Sequence, residues 1–379
     1  MSKKILLGLS GGVDSAIAAY KLKEQGYDVT GCFMRNWDAM ANNDYLGNPT
    51  INDNVCPQEA DYHDAVKVAQ KLGIPLLRID FIKEYWDNVF EYFLKEYKRG
   101  RTPNPDVLCN KYIKFDSFLK FANERGFDYI SMGHYAKKVE KDGHFYLAKP
   151  LDLAKDQTYF LCQVSEEQIS HSLFPMNDIT KVESRALAAK LGLDEVASKH
   201  GSTGICFIGE RNFKEFLKNY LPSKEGEIID IESGKVIGKH VGVLYYTLGQ
   251  HKGLGIGGVK GLGEEAWFVC KKDVKNNILY VTNGNEDDHL NSDSCLVTDV
   301  NFIGPHPSEP IKVGVKFRYR QADQGCTLYF EGDNVKLIYD APYKAVTPGQ
   351  FAAFYLEDGR MLGGGIIDQT YYKGVRNDI

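Results

Sequence analysis

The sequence predicts an α/β domain with a parallel sheet, followed by a small β-rich middle domain and a C-terminal β-barrel. Its 379 residues are too many for one small module and enough for two or three domains. Over the first 135 residues, apolar strand-like runs alternate with amphipathic helices, which is typical of a parallel sheet covered on both faces. Beyond about residue 210, short alternating segments are separated by Gly, Asn and Asp, which favours antiparallel strands. We place the domains at 1–209, 210–290 and 291–379.

The first domain has the clearest local signals. Its predicted strands are 4–9, 28–34, 75–80 and 128–132. Its predicted helices are 15–25, 61–72, 83–97, 112–125 and 181–191. The last helix is preceded by Thr180 and Glu183 at capping-box spacing and followed by Gly192, so both of its ends are specified.

The later strands are predicted from alternation alone. They are 227–231, 235–238, 266–271, 278–282, 311–320, 334–339 and 351–355. Within 311–320, basic residues alternate with apolar ones, so we expect one face of this strand to be a basic strip that grips RNA phosphates. Its members are Lys312, Lys316, Arg318 and Arg320.

Composition restricts the class of protein. The chain is 43% hydrophobic and 26% charged, as in globular proteins rather than disordered ones. Its net charge of −5 provides no global attraction for nucleic acid, so any RNA site must be a local patch. The apolar runs are short for a membrane span, and the first four residues lead directly into a strand. We therefore expect no export signal, no membrane contact and a cytoplasmic location.

A glycine-rich turn between the first strand and the first helix carries the sharpest chemical signal. At such a turn, backbone N–H groups and the positive end of the helix dipole can cradle a phosphate. The lysine of a Walker loop is missing, so this is a different kind of phosphate site. The residues of the turn are Gly8, Leu9, Ser10, Gly11, Gly12, Val13, Asp14 and Ser15.

The cysteines supply two candidate nucleophiles. None of the eight forms a C-x-x-C pair, so no zinc ribbon or thioredoxin-type motif is present. Cys109 and Cys206 lie in polar, loop-like sequence and are candidate reactive thiols, whereas the other six are expected to be buried. Four basic residues near Cys109 are expected to lower its pKa: Arg99, Arg101, Lys111 and Lys114.

The turn resembles the pyrophosphate loop of the ATP pyrophosphatases, which implies an adenine nucleotide alpha hydrolase-like fold. Further stretches resemble one family, the tRNA-specific 2-thiouridylases, in order along nearly the whole chain. These stretches are 33–38, 100–110, 132–136, 155–161, 202–210, 253–258 and 346–350.

The resemblance implies an ATP-dependent sulfurtransferase that replaces the 2-oxygen of the wobble uridine, position 34 of tRNA, with sulfur. ATP would adenylate that oxygen, a Cys206 persulfide would attack C2, and Cys109 would close a disulfide with Cys206. The implied cofactors are ATP and Mg²⁺, with Asp14 holding the metal; a role for Asp14 as a helix cap stays open.

The same resemblance assigns further residues. Met34 and Gly133, at the carboxyl edge of the sheet, would contact the nucleotide. Asp106 would act as a general base or orient the target base. The residues implied to meet tRNA are Pro105, Asp106, Val107, His134, Lys155, Asp156, Gln157, Arg318, Tyr319 and Gln350. The implied partners are the tRNAs for Lys, Glu and Gln and a sulfur donor, either a cysteine desulfurase or a sulfur-relay protein.

Two other functions remain open on sequence grounds. A pyrophosphatase-loop ligase would adenylate a carboxylate or carbonyl and add nitrogen, and it would need neither cysteine. An RNA-binding protein could use the nucleotide loop only as a conformational switch, and it would release no pyrophosphate.

Overall fold

The first domain is built on a five-stranded parallel sheet. A computed structural model describes residues 2–53, 56–199, 204–206, 208–256, 265–284 and 288–377. The strands of this half of the chain are β1 (Lys4–Gly8), β2 (Asp28–Arg35), β3 (Leu76–Asp80), β4 (Tyr129–Ser131), β5 (Lys137–Lys141), β6 (His144–Ala148) and β7 (Ser172–Leu173). The sheet order is β3–β2–β1–β4–β7, all parallel, and β5 pairs with β6 in a separate antiparallel hairpin.

Helices cover this sheet and extend beyond it. They are α1 (Val13–Glu24), α2 (Pro57–Leu72), α3 (Ile82–Tyr85), α4 (Glu91–Lys98), α5 (Pro105–Leu108), α6 (Phe118–Glu124), α7 (Glu166–Ser170), α8 (Lys181–Lys190), α9 (Asp194–Ser198) and α10 (Phe213–Lys218). The capping box predicted at Thr180 and Glu183 is confirmed at the start of α8. No helix in the described ranges has the length and apolar character needed to cross a bilayer.

Two predicted helices contain π-helical segments. Trp86–Phe90 joins α3 to α4, and Cys109–Ser117 joins α5 to α6. The helix predicted at 112–125 therefore begins earlier, at Pro105. The reason is that Pro105 occupies the first helical position, and the side chain of Asn104 accepts a hydrogen bond from Asp106 N at 3.1 Å.

Both faces of the parallel sheet are buried. Because side chains alternate along β1, Ile5 and Leu7 pack with α1 and α2 on one face, whereas Leu6 packs on the other with Ile130 and the aromatic cluster of α4. All three side chains are fully buried. This packing fixes the end of β1, from which the glycine-rich turn emerges.

The second half of the chain forms two β domains, as predicted. The middle domain contains β8 (Gly226–Asp230), β9 (Val236–His240), β10 (Trp267–Asp273) and β11 (Ile278–Asn283), in the order β10–β11–β8–β9. Only the β8–β11 pair is parallel among these described strands. The predicted fold class, an α/β domain followed by β-rich and β-barrel domains, is confirmed.

The C-terminal domain is a closed six-stranded barrel. Its strands are β12 (Asn291–Phe302), β13 (Ile311–Lys316), β14 (Gln324–Glu331), β15 (Asn334–Lys344), β16 (Phe351–Tyr355) and β17 (Met361–Tyr372), with the short β18 (Val375–Arg376) paired to β17. Their order is β12–β15–β14–β13–β16–β17, and β17 pairs with β12 to close the barrel.

The basic strip predicted on 311–320 is wrong. The strand ends at Lys316, so its alternation does not reach Arg318 or Arg320. Lys316 is buried and its ammonium lies 2.6 Å from a carboxylate oxygen of Asp156, which joins the barrel to the first domain. The guanidinium of Arg318 turns inward and donates to Leu248 O, Ala345 O and Thr347 Oγ1.

This buried ion pair yields a stability prediction. In Lys316→Met, the Asp156 carboxylate keeps its bonds from Thr158 but loses its counter-charge, so the free energy of unfolding should fall by about 3–5 kcal/mol. Adding Asp156→Asn should recover part of that loss, because the buried charge is removed. Calorimetric unfolding of both variants measures this coupling. Lys312→Met, at an exposed position of the same strand, is the control and should change the free energy of unfolding little. An equally small effect of Lys316→Met would contradict the prediction.

Candidate active site

The glycine-rich turn has the geometry of an anion site. Gly11 has a φ of +72°, and a Cβ there would collide with the backbone carbonyl of Asp61, so only glycine fits. Gly12 precedes α1 without a side-chain cap. The Ser15 hydroxyl accepts from Ser10 N at 3.2 Å and donates to Gly12 O at 3.0 Å, which tightens the turn. Uncapped N–H groups at the start of a helix can bind phosphate.

Asp14 is bound to a lysine that the sequence analysis did not single out. Both oxygens of its carboxylate accept from Lys181 Nζ, at 2.7 and 2.8 Å, and Tyr135 Oη donates to one of them at 3.0 Å. Asp14 lies inside the first turn of α1, and Gly12 occupies the N-cap, so a capping role is excluded. Lys181 is the first residue of α8, a position with no sequence signature of phosphate chemistry.

The donor set at Asp14 fits Mg²⁺ only together with a nucleotide. No group of three or more His, Cys, Asp or Glu side chains among the described residues could hold a metal ion. Mg²⁺ commonly takes one or two carboxylates from a protein and completes its shell with phosphate oxygens and water. Asp14 can supply the one carboxylate if its ion pair with Lys181 opens.

The predicted nucleotide residues meet at the carboxyl edge of the sheet. A Cβ at Gly8 would lie 2.5 Å from the sulfur of Met132 and 3.0 Å from Cε of Met34. A Cβ at Gly133 would lie 2.8 Å from Ser15 N, so this glycine packs against the start of α1. The side chain of Met34 and the backbone at Gly133 therefore both border the glycine-rich turn.

The structure brings the two candidate thiols together. Cys109 Sγ and Cys206 Sγ are 3.5 Å apart although the two positions differ by 97 in the sequence, and neither cysteine is in a disulfide. Cys206 is half-buried, whereas Cys109 is fully buried at the start of the π-helical segment, so its predicted loop environment is wrong.

Two hydrogen bonds attach the Cys206 backbone to the helical layer. Its N–H donates to Asp106 Oδ1 at 3.0 Å, and its carbonyl accepts from Tyr85 Oη at 3.0 Å. Tyr85 was not anticipated, because in the sequence it is one more aromatic residue of an apolar helix face. Burial raises the pKa of the Asp106 carboxyl, against the effects of the Cys206 N–H and Lys114, and thereby favours proton uptake.

Only one of the four predicted cations reaches the thiols. Arg99 and Arg101 pair with Glu96, and Lys111 Nζ donates to Gln163 Oε1 at 2.7 Å. Lys114 instead lies near both sulfurs, because the π-helical segment places residues five apart, such as Cys109 and Lys114, toward the same face.

The charge distribution distinguishes the two sulfurs. The hydrogen bond from Cys109 and the nearby Lys114 lower the pKa of Cys206 in spite of burial. Burial and the neighbouring Cys206 raise the pKa of Cys109 well above its usual range. The expectation of a lowered pKa at Cys109 is therefore wrong: of the two sulfurs, Cys206 is the one that loses its proton more readily.

The residues implied to meet tRNA lie in varied surroundings. Val107, His134 and Asp156 are buried, and burial with Lys114 nearby lowers the pKa of His134 well below its usual range. Gln157 Oε1 accepts from Tyr135 N at 2.9 Å, and Gln350 Nε2 donates to Thr102 O at 2.7 Å. Pro105, Lys155 and Tyr319 are partly exposed, and the Tyr319 ring packs on Phe160.

Several residues of the matching stretches cannot be placed. Residues 202–203 and 207, on either side of Cys206, and residues 257–258 of the glycine-rich segment lie outside the described residues.

Known proteins similar to this chain cover nearly its whole length. Three family profiles match in succession: tRNA methyl transferase HUP domain over residues 3–210, tRNA methyl transferase PRC-barrel domain over 214–283, and aminomethyltransferase beta-barrel domain over 292–367. The tRNA-specific 2-thiouridylase MnmA of Mesoplasma florum is 54% identical over 97% of this chain and 99% of its own length. Its counterpart from Mycoplasma capricolum is 52% identical over 98% and 100%. That from Alkaliphilus oremlandii is 52% identical over 97% of each chain.

The contact between Lys114 and Cys206 predicts a pH effect. In Lys114→Met, the thiolate of Cys206 loses its cationic partner, so the midpoint of its titration should rise by about 1–3 pH units. The rate of alkylation by iodoacetamide at Cys206, followed by mass spectrometry against pH, measures that midpoint. Lys111→Met is the matched control, since Lys111 binds Gln163 and should leave the profile unchanged. Superimposable profiles for the two variants would rule out the contact.

Proposed function

This chain belongs to the tRNA-specific 2-thiouridylase family, and from that premise we propose how its residues carry out the reaction. The protein is an ATP-dependent sulfurtransferase that 2-thiolates uridine in tRNA. The single observation that carries the residue assignments is the 3.5 Å contact between Cys109 and Cys206. The ligase alternative has no use for such a thiol pair, and a nucleotide switch would need no thiol at all.

The proposed reaction at the wobble uridine, position 34, uses both sulfurs. ATP transfers AMP to the 2-oxygen and releases pyrophosphate. The outer sulfur of a Cys206 persulfide attacks C2, and the 2-oxygen leaves with AMP. Cys109 then attacks the inner sulfur, that of Cys206, and the bond between the inner and outer sulfurs breaks. The electron pair of that broken bond stays with the outer sulfur, now on uridine, and a Cys109–Cys206 disulfide forms.

The environments of the thiols support this division of roles. Cys206 is the more exposed of the two and has the lowered pKa, which suits a thiolate that accepts sulfur from a donor protein. Cys109 is sealed beside it and needs to move only from 3.5 Å to about 2.0 Å to form the disulfide. An external thiol then reduces that disulfide, and the donor, a cysteine desulfurase or a relay protein, reloads Cys206.

The nucleotide end of the site uses the residues around α1. The backbone N–H groups of the turn would hold the pyrophosphate portion of ATP, and Met34 and Gly133 would border the adenosine. Asp14 would hold Mg²⁺, which supplies positive charge to the departing pyrophosphate. The ammonium of Lys181 would exchange the carboxylate of Asp14 for the phosphate oxygens of ATP, since these two kinds of anion compete for it.

Asp106 and the RNA-facing residues would position the target base. With its raised pKa, Asp106 can exchange a proton near pyrimidine C2 while its Oδ1 holds the Cys206 backbone. We propose the tRNAs for Lys, Glu and Gln as substrates and the cytoplasm as the compartment. We also propose 1–209 as the catalytic domain, 210–290 as a central domain and 291–379 as a tRNA-binding domain.

The thiol assignments can be tested directly. Purified protein with ATP, Mg²⁺, a persulfide donor and unmodified tRNA should form 2-thiouridine, measured by nuclease digestion and mass spectrometry. Cys206→Ser and Cys109→Ser should each reduce product by at least about 10³-fold, because each sulfur makes a bond in the cycle. Cys56→Ser, which alters a cysteine that is exposed rather than buried as expected, should retain activity. Undiminished product from Cys206→Ser would reject the mechanism.

The ion pair at the phosphate turn yields a separate test. Lys181→Met should slow pyrophosphate release by about 10²-fold, because the turn loses a cation that offsets phosphate charge. Binding of tRNA, measured without ATP, should not change. Lys190→Met, at the exposed far end of the same helix, is the control. A normal rate in Lys181→Met would confine Lys181 to a structural role.

A further inference from the structure

A cleft lined by cationic side chains lies where the three domains meet. Its volume is ≈ 710 Å³. The first domain contributes Arg99 and Arg101, the middle domain Lys271, Lys272 and Lys275, and the segment after the barrel Arg376. Two carboxylates, Asp273 and Asp368, also line it. In a chain of net charge −5, this is a local concentration of positive charge.

The cations of the cleft differ in their availability. Arg101 is neutralised by Glu96 and Asp368, and burial lowers the pKa of Lys272 to about 7 while its Nζ donates to Tyr246 O. Lys271 and Lys275 have no ion pair with any carboxylate in the described part of the chain, and Lys275 is exposed. These two lysines are the charges most open to an anionic ligand.

The cleft borders the segment that leads to the thiols. Arg99–Arg101 form one wall and run directly into Thr102 and the start of α5, which carries Asp106. Thr102 is held by the barrel, since its N–H donates to Pro348 O at 3.0 Å and its carbonyl accepts from Gln350. An anion in the cleft therefore lies beside the segment that positions the target base.

We propose that this cleft binds the sugar–phosphate backbone of the tRNA substrate, with Lys271 and Lys275 as its principal phosphate contacts. The proposal rests on the proposed function, because it takes tRNA as the polyanion that must approach Asp106. Cations supplied by three domains suit a ligand long enough to cross domain boundaries, and tRNA is the one substrate of that length. ATP already has its own site at the start of α1.

The test compares two double variants of the full-length protein. Binding of unmodified tRNA is measured without ATP over a series of KCl concentrations. Lys271→Gln/Lys275→Gln should weaken binding several-fold and flatten the slope of log K against log salt by about 1 for each lysine. Lys235→Gln/Lys239→Gln removes the same charge from exposed lysines of the middle domain outside the cleft and should leave the slope unchanged.

Other occupants give different results. An unchanged salt slope, or an equal loss in the control pair, overturns the proposal. A raised KM for ATP with normal tRNA binding would show a small-phosphate site, and impaired sulfur loading with normal tRNA binding would show a protein-docking site; either result overturns it too. Since binding is measured without chemistry, a flattened slope supports the cleft even if no 2-thiouridine forms.

Discussion

The site depends on the hydrogen bond from Cys206 N–H to Asp106 Oδ1. The two residues are 100 positions apart, and this bond, with the one from Tyr85 to the Cys206 carbonyl, holds the Cys206 segment against the helix that carries Cys109. The two sulfurs lie 3.5 Å apart in this arrangement. The hydrogen bond from Cys109, together with the charge of Lys114, lowers the pKa of Cys206, whereas burial raises the pKa of Cys109. The reactivity of Cys206 thus depends on neighbours that the backbone contacts bring into place.

The same contacts leave the site closed to a base. Val107, Cys109 and His134 are buried, so a uridine can reach them only after a local rearrangement. Breaking two hydrogen bonds to buried partners costs on the order of 1–3 kcal/mol each. In the proposed mechanism, contacts with tRNA have to supply the free energy of this rearrangement.

Local signals predicted parts of this structure that lie close together in sequence, and the family resemblance implied one distant contact, that of Cys109 with Cys206. The turn at Gly11 and the capping box of α8 are short patterns with one structural solution each. The start of α5 was missed because Asn-Pro-Asp is equally typical of a loop, and only the cap at Asn104 decides between the two. The basic strip failed because alternation says nothing about where a strand ends or whether a lysine has a buried partner such as Asp156. The charged cleft was beyond sequence reasoning, since its lining comes from positions as distant as 99 and 376.

The π-helical segment Cys109–Ser117 makes the winding of this helix as important as its composition. Wide i to i+5 turns place Lys114 above Cys109, whereas in an ordinary α-helix the two would point about 140° apart. If the same residues were wound as a regular α-helix, the ammonium would point away from Cys109 with every functional side chain still present. The winding of this segment thus contributes to the chemistry as its side chains do.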